Sequence, residues 1–180
     1  MSFNGNKILT TGGGGVVLTN NKKLANKIRH LSTTAKLKHG WEFIHDTVGY
    51  NYRMPNINAA LGLAQIENIK LFLKSKKKLY QKYLRTFSEH KEVFLLKNPK
   101  NSTSNNWLNT IWIKNSSLKK RNNIIRLANK KGLFLRPPWK PLNEFNHFKF
   151  FPKMNLDISQ KIYLSCINLP SSAHYFLKKN

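Results

Sequence analysis

The stretch MSFNGNKILTTGGGGVVLTN, residues 1–20, organises the chain. β-favouring side chains flank its glycine run, with Ile8–Leu9 before it and Val16–Leu18 after it. Glycine reaches positive φ without a steric penalty, so residues 12–15 suit a tight hairpin that a ligand or another backbone can approach closely. The stretch therefore predicts a β-hairpin with one lysine, Lys7, where its first strand begins.

Two phosphate-binding motifs built on glycines are excluded by the residues after the run. A P-loop places a lysine and a Ser or Thr directly after the glycines and then a helix, whereas here Val16 and Val17 continue as a predicted strand. The dinucleotide-binding fingerprint also needs a helix at that point. From the residues alone, the segment is a glycine-rich surface hairpin that carries one more lysine of a basic chain.

Composition indicates a folded, strongly basic domain. The chain has 180 residues, 40% of them hydrophobic, which is enough for one domain with a sizeable core. Its 32 Lys and Arg against 7 Asp and Glu give a net charge of +25, which favours anionic partners. The basic residues are spread along the chain and no aromatic RNA-binding signature occurs, so nucleic acid is a disfavoured partner. A basic α+β nucleic-acid-binding module stays as the alternative.

Several other classes of protein are disfavoured. A single cysteine, Cys166, leaves no intramolecular disulfide. No apolar run of residues approaches the length of a membrane span. We therefore expect a cytoplasmic location and no membrane partner. The histidines are scattered without the spacing of metal ligands, so no metal site is predicted.

Hydrophobic periodicity predicts the remaining elements. Helices are expected at residues 21–30, 55–87, 118–132 and 159–165. Strands are expected at residues 93–96, 107–113 and 133–136. The order β-β-α-β in the second half is typical of a small α+β layer with an antiparallel sheet.

Two polar stretches could bind a ligand or serve the fold. Asn51 and Arg53 could hold a phosphate or carboxylate, or they could cap the helix that follows Pro55. Arg136 and Trp139, in RPPWKPL, could bind an anionic, ring-bearing ligand, or they could be a satisfied arginine and a packed tryptophan. The residues leave both questions open.

Two blocks resemble one known family. SFNGNKILTTGGGGVVLTN (residues 2–20) and HDTVGYNYRMPNINAALGLAQIENI (residues 45–69) look like the cofactor-lysine segment and the following signature of the DegT family. This family comprises pyridoxal-phosphate-dependent aminotransferases that act on nucleotide-linked sugars. Two matched blocks in this order and at this spacing form a specific signal, which a lone glycine run would not.

The resemblance implies a cofactor site. Lys7 would form the Schiff base with the aldehyde of pyridoxal 5'-phosphate, and its freed amine would then shuttle a proton. Asn51 matches an asparagine that reaches across a homodimer interface to the cofactor phosphate of the other subunit. Arg53 lies beside Asn51 and is expected to assist it.

The resemblance also implies a substrate and a reaction. An amino group, from glutamate as donor, would pass to a keto-sugar nucleotide, giving a 4-amino-4,6-dideoxy sugar for surface-polysaccharide or amino-sugar biosynthesis. His45 lies in the matched loop, and Arg136 and Trp139 lie in a stretch that resembles the loop near the substrate entrance. These three residues are the predicted substrate contacts.

The implied fold is α/β, a fragment of a fold type I aminotransferase. Residues 1–55 would be the remnant of the large cofactor-binding domain with its lysine-bearing hairpin, residues 56–87 a long linking helix, and residues 88–180 a small C-terminal α+β domain. Family members carry a long stretch before the lysine and usually a closing helix at the end. We therefore expect a C-terminal portion that is inactive alone and a homodimer in the full-length family.

Overall fold

The computed structural model describes residues 1–177, and the chain divides into two compact units, Met1–Ile69 and Lys70–Asn180. The elements are α1 (Lys22–Ser32), α2 (Asn56–Glu67), α3 (Ile69–Phe87), β1 (Val93–Leu95), β2 (Asn109–Ile113), α4 (Leu118–Lys130), α5 (Asp157–Ser165) and β3 (Cys166–Leu169). Short 3₁₀ turns lie at Leu142–Glu144, Asn146–Phe148 and Ala173–Phe176. The boundary between the units falls inside the predicted linking region, and the three-part domain division itself stays a prediction.

The lysine-bearing segment differs from its prediction. Residues 8–9 and 16–18 form no strand; the chain reverses instead through one antiparallel bridge between Ser2 and Gly15. A segment with strand-favouring side chains still needs neighbouring strands to bond its backbone N–H and C=O groups. A lone two-stranded ribbon is only marginally stable in water. The expected positive φ is confirmed at two glycines, Gly12 (+80°) and Gly14 (+85°), so the glycine run does make the reversal.

Helix α1 confirms the helix predicted over residues 21–30. It begins where the side-chain oxygen of Asn21 accepts a hydrogen bond from the Leu24 N–H at 3.0 Å. This satisfies one of the N–H groups that a helix start leaves without a partner. Arg29 lies in the last turn, where its positive charge complements the helix dipole.

The predicted single helix over residues 55–87 is wrong, because it is interrupted at Asn68. The side-chain amide of Asn68 donates to the Ala64 carbonyl at 2.9 Å, the oxygen that the Asn68 backbone N–H would bond in a continuous α-helix. The backbone N–H turns to Gln65 at 3.2 Å instead. Helix α2 therefore ends at Glu67, and α3 begins at Ile69.

The second unit contains an antiparallel sheet with strand order β1-β2-β3. The first two predicted strands are confirmed, as are the helices α4 and α5. The predicted third strand is wrong, since residues 133–136 contribute a single bridge, from Arg136 to Asn168. The third strand is β3, and all four of its residues are buried. A strand covered on both faces lacks the polar alternation that sequence patterns detect.

The core lies on one face of this sheet. Its buried members are Leu95, Ile111, Ile113, Ile167 and Leu169. Side chains of α3 and α4 pack against them, including Tyr80, Leu84, Phe87, Ile124 and Ile125. Removal of these side chains from water is the main source of stability for the second unit.

Buried polar side chains of α3 fix the loop after β3. Lys76 is 4% exposed, and its ammonium donates to the carbonyls of Ser171 and, at 3.3 Å, Trp107. The Tyr83 hydroxyl donates to the Pro170 carbonyl at 2.9 Å. Burial lowers the pKa of Lys76; burial and, secondarily, the neighbouring Tyr175 raise the pKa of Tyr83. The loop is thus held by two side chains that lie about two turns apart on the same helix.

Arg121 is a buried guanidinium on α4. It is 2% exposed, donates to the Tyr163 carbonyl, and lies 4.5 Å from the centroid of the Tyr163 ring. Its other N–H groups donate to Asn122 Oδ1 at 3.1 and 2.8 Å. The planar fork of arginine makes all these contacts together and joins α4 to α5.

Candidate active site

Lys7 lies in a turn of the glycine segment. Lys7 is partly buried, and its backbone N–H donates to the Asn4 carbonyl at 2.9 Å. The Asn4 to Lys7 turn therefore sets the direction in which the chain presents this lysine.

Thr11 anchors the lysine segment to α2. Its side chain is 1% exposed, its hydroxyl donates to the Gly13 carbonyl, and its backbone N–H donates to Phe3 at 3.0 Å. Its own carbonyl accepts a 2.5 Å hydrogen bond from the side-chain amide of Asn58. Gly62, one turn further along α2, packs so closely that an added Cβ would lie 2.8 Å from Thr11 Cγ2.

The second matched block begins in a paired loop and continues into α2. Residues 31–37 run antiparallel to residues 44–52, with hydrogen bonds such as Leu37 N–H to Ile44 at 2.8 Å. Gly49 permits this pairing because a Cβ there would lie 2.4 Å from the Ala35 nitrogen. The same pairing holds the Asn51 backbone opposite Thr33 while the Asn51 residue stays exposed.

Two histidines stabilise this loop. His45 Nδ1 lies 2.7 Å from the Thr34 carbonyl oxygen, and because a carbonyl can only accept, Nδ1 carries the proton. His30 Nε2 lies 2.7 Å from Asp46 Oδ1, a contact between α1 and the loop. The structure therefore gives His45 a loop-anchoring contact, and its substrate role stays a prediction.

Cations gather on one side of the loop around Arg53, in what we call the basic groove. This open groove of about 620 Å³ is lined by Arg29, Ser32, Thr33, Lys36, Leu37, Lys38, His39 and Arg53. No carboxylate is among these lining residues, so the donor set suits a phosphate or a carboxylate. Sequence reasoning identified Arg53 and missed the other cations, which belong to α1 and to the strand-like segment after it.

Arg136 and Trp139 lie together in the second unit. The Arg136 guanidinium carbon is 5.7 Å from the Trp139 ring centroid. The ring centroids of Trp107 and Trp139 are 5.9 Å apart. Backbone hydrogen bonds to Asn168, at 3.3 and 2.8 Å, fix the start of this stretch against β3. Both residues are exposed, with Trp139 66% accessible, so the pair faces solvent rather than the core.

The predicted site residues thus fall into two groups. Lys7, His45, Asn51 and Arg53 belong to the first unit, and Arg136 and Trp139 to the second. Thr11 and Asn58, which link the lysine segment to the block containing Asn51, escaped sequence reasoning, because a buried threonine after β-favouring residues carries no distinctive pattern. The roles of all six predicted residues stay predictions.

Lys7 thus lies in a glycine-rich segment that Thr11 anchors to α2, and the same unit contains the basic groove around Arg53. The sequence profile of the DegT/DnrJ/EryC1/StrS aminotransferase family matches residues 1–178, so the chain belongs to this family. The resemblance drawn from residues 2–20 and 45–69 is confirmed. The family is pyridoxal-phosphate-dependent, and amine, amide and guanidinium groups in the first unit fit such a cofactor chemically.

Known relatives are sugar aminotransferases. GDP-perosamine synthase of Escherichia coli O157:H7 is 39% identical over 100 residues, 52% of this chain and 27% of that protein. GDP-perosamine synthase of Caulobacter vibrioides is 29% identical over 176 residues, 96% of this chain and 46% of that protein. This chain therefore spans less than half the length of these relatives.

Solved structures of sugar aminotransferases resemble this fold and are likewise matched over part of their length. Helicobacter pylori PseC, an aminotransferase involved in the biosynthesis of pseudoaminic acid, matches with a TM-score of 0.89 and 25% identity, covering 97% of this chain and 48% of that chain. The predicted α/β class and its likeness to sugar aminotransferases are confirmed. Within residues 1–177, no helix is both long and apolar enough to cross a bilayer.

Proposed function

We propose that this chain is the lysine-bearing C-terminal portion of a sugar aminotransferase, which transfers an amino group from glutamate to a keto-sugar nucleotide. The family match over residues 1–178, which includes the Lys7 segment, carries the proposal. The two relatives named above, both GDP-perosamine synthases, support a nucleotide-linked sugar as the substrate class. From the resemblance of the Lys7 segment we propose a 4-amino-4,6-dideoxy sugar as the product. We place the reaction in the cytoplasm, in amino-sugar or surface-polysaccharide biosynthesis.

Lys7 is the proposed attachment and proton-transfer residue. A lysine amine is nucleophilic only when unprotonated, and once released it can hold a proton at Nζ and return it to the reacting carbon. Pyridoxal phosphate, when bound, supplies the electron sink for the amino-group chemistry. Asn51 and the basic groove around Arg53 would hold a phosphate, and Asn51 is proposed to do so across a homodimer interface.

The surface of α2 supports the proposal that the chain is part of a larger assembly. This helix, NINAALGLAQIE, is apolar around most of its circumference, yet none of its described residues is buried. Ile57 is 85% exposed, Leu63 61% and Ile66 55%. A helix that is apolar on all sides is normally buried, so other parts of a full-length enzyme or its partner subunit would cover it. We infer that the isolated chain is inactive.

A chimera tests the function. The N-terminal portion of the E. coli GDP-perosamine synthase is joined to Met1, and formation of the amino sugar from glutamate and the keto-sugar nucleotide is followed by chromatography. We expect turnover by the chimera, loss of turnover in its Lys7→Arg variant, and none by the 180-residue chain alone. Turnover by the Lys7→Arg chimera would refute the assignment of Lys7, and turnover by the isolated chain would refute its proposed inactivity.

A further inference from the structure

An exposed loop of the second unit, residues 145–154, has the sequence FNHFKFFPKM, and we call it the phenylalanine loop. It follows the 3₁₀ turn at Leu142–Glu144 and ends before α5. Its backbone makes tight turns: the Phe148 N–H donates to the Phe145 carbonyl at 2.9 Å, and the Phe151 N–H donates to the Phe148 carbonyl at 3.3 Å. The rings of Phe148 and Phe151 lie edge to face with centroids 5.9 Å apart, so the loop has a defined shape of its own.

The phenylalanine loop exposes large apolar side chains. Phe150 is 96% exposed, Met154 88% and Phe151 63%. Ile158, in the first turn of α5, is 73% exposed. Phe151 and Met154 line one open groove, so these two side chains form a patch rather than isolated points. An exposed apolar patch of this kind marks a surface for an interaction, since contact removes it from water.

Lysines alternate with the apolar side chains of the loop. Lys149 precedes Phe150 and Lys153 precedes Met154, and both lysines are exposed. The loop itself contains no Asp or Glu. A partner that is apolar in one layer and negatively charged in the next therefore matches the loop in both respects.

The two carboxylates nearest to the loop in sequence already have partners. Glu144 lies 3.5 Å from the ammonium of Lys140. Asp157 Oδ2 accepts a hydrogen bond from the side-chain amide of Asn155 at 3.0 Å. Since each carboxylate is offset by a neighbour, the lysines of the loop remain available to attract an anionic partner.

The mixture of lysine and phenylalanine distinguishes this loop from α2. Helix α2 has a single charged residue, Glu67, so another protein surface can bury it. Lysine is depleted from the buried centre of protein interfaces, because removal of an ammonium from water costs free energy. At a lipid surface, lysines stay among the phosphates while aromatic rings enter the boundary of the acyl chains. The composition of the loop therefore favours lipid over a protein partner.

Single-stranded RNA is the other anionic partner that basic, aromatic surfaces bind. RNA binding uses rings, on which the bases stack, and Met154 and Ile158 have none. The boundary of the acyl chains accepts any apolar side chain, with or without a ring. The exposed Met154 and Ile158 therefore favour a lipid surface over RNA.

We propose that the phenylalanine loop docks the chain on a membrane surface that contains anionic lipid. Phe150 and Met154 enter the interface, and Lys149 and Lys153 contact the lipid phosphates. The attachment is peripheral, since ten residues are too few for a spanning helix. It differs from the sequence expectation of no membrane partner, which considered spanning segments alone. The proposal does not depend on Lys7 or on amino-group transfer.

Co-sedimentation of the whole chain with vesicles tests the docking. Vesicles of phosphatidylcholine alone are compared with vesicles of equal parts phosphatidylcholine and phosphatidylglycerol. We expect much stronger binding to the anionic vesicles, weakened about tenfold in Phe150→Ala because one apolar side chain leaves the interface. Phe134→Ala is the matched control: its ring is 79% exposed but lies outside the loop, so binding should stay within about twofold.

A pair of double variants tests the charges. Lys149→Gln with Lys153→Gln should weaken binding to the anionic vesicles about thirtyfold. Lys97→Gln with Lys100→Gln removes the same charge at exposed positions outside the loop and should weaken binding by no more than about threefold. All the substituted side chains are exposed, and circular dichroism checks that every variant is folded.

Three results would overturn the proposal: no binding to the anionic vesicles, equal losses in Phe150→Ala and Phe134→Ala, or equal losses in the two double variants. The last result would mean general attraction by the +25 charge. Tight binding of single-stranded RNA that Phe150→Ala abolishes, without vesicle binding, would identify an RNA surface instead. Self-association that Phe150→Ala abolishes, measured by sedimentation velocity without vesicles, would identify an interface between copies and also count against lipid.

Discussion

The side-chain amide of Asn58 donates a 2.5 Å hydrogen bond to the backbone carbonyl of Thr11, across 47 residues of sequence. This contact joins the segment that carries Lys7 to the helix that directly follows Asn51 and Arg53. This amide, together with the packing of Gly62 on Thr11, joins the two sequence blocks that resemble the family.

Asn58→Ala should destabilise the first unit. The change leaves the Thr11 carbonyl unpaired where it is sheltered from water, so we expect a loss of about 1–3 kcal/mol in the free energy of unfolding. Urea denaturation followed by circular dichroism measures it. Asn56→Ala, at an exposed position of the same helix, is the control and should change stability by no more than about 0.5 kcal/mol. Equal effects of the two changes would contradict the anchoring role.

Gly62→Ala should destabilise despite favouring the helix. Alanine gains about 1 kcal/mol over glycine in a helix, but its Cβ would lie 2.8 Å from the buried Thr11 Cγ2, and overpacking costs about 1–3 kcal/mol. We expect a net loss of up to about 2 kcal/mol, measured by thermal and urea denaturation. Gly40→Ala should show no such loss, because a Cβ added at Gly40 would meet no atom within 4 Å beyond its chain neighbours. A stabilised Gly62→Ala variant would show that α2 does not pack on Thr11 as described.

Lys76 should make stability depend on pH. Burial lowers its pKa from the ordinary 10.5, so between the lowered pKa and 10.5 the unfolded chain binds more protons than the folded chain. Its contribution to the free energy of unfolding therefore rises with pH through that window and is constant below it. Lys76→Met removes this slope, so the stability of the wild-type chain minus that of the variant should increase with pH.

Subtraction isolates Lys76 from its neighbours. Burial raises the pKa of Cys166 and of Tyr83, and both groups contribute to both chains, so their effects largely cancel in the difference. Lys78→Met, at an exposed position of α3, is the matched control for the loss of one lysine from this helix. A flat difference for Lys76→Met would mean that the ammonium is not desolvated in the folded chain.

Arg121→Lys should be costly although it keeps the charge. Lysine has no planar fork, so it cannot serve the Tyr163 carbonyl and Asn122 Oδ1 together, and a buried carbonyl loses its partner. The expected loss is about 1–3 kcal/mol in urea denaturation. Arg126→Lys, exposed on the same helix, should be nearly neutral. If the two substitutions cost the same, the Arg121 contacts do not join α4 to α5.

Sequence reasoning recovered the elements whose patterns are local. Helix α4 has an apolar stripe and ends just before Gly132, whose φ is +77°. Strand β3 escaped because it is buried on both faces, and residues 133–136 drew a strand prediction although Phe134 is 79% exposed. The break at Asn68 depends on a side chain that competes for one carbonyl, which hydrophobic periodicity does not register.

The site was predictable only in part, for a physical reason. Lys7, Asn51 and Arg53 could be identified because two sequence blocks resemble a family whose members use such residues. Lys36 and Lys38 could not be, since many lysines of a +25 chain look alike in sequence and only folding selects those near Arg53.

Reductive trapping is the decisive experiment on Lys7 as the cofactor lysine. The chain is mixed with equimolar pyridoxal phosphate and treated with borohydride, and its peptides are mapped by mass spectrometry in the wild type and in Lys7→Arg. We expect the cofactor mass to concentrate on the Lys7 peptide and to disappear from it in the variant, while exposed lysines such as Lys23 carry little. Label spread over exposed lysines, with no preference for Lys7, would contradict the assignment.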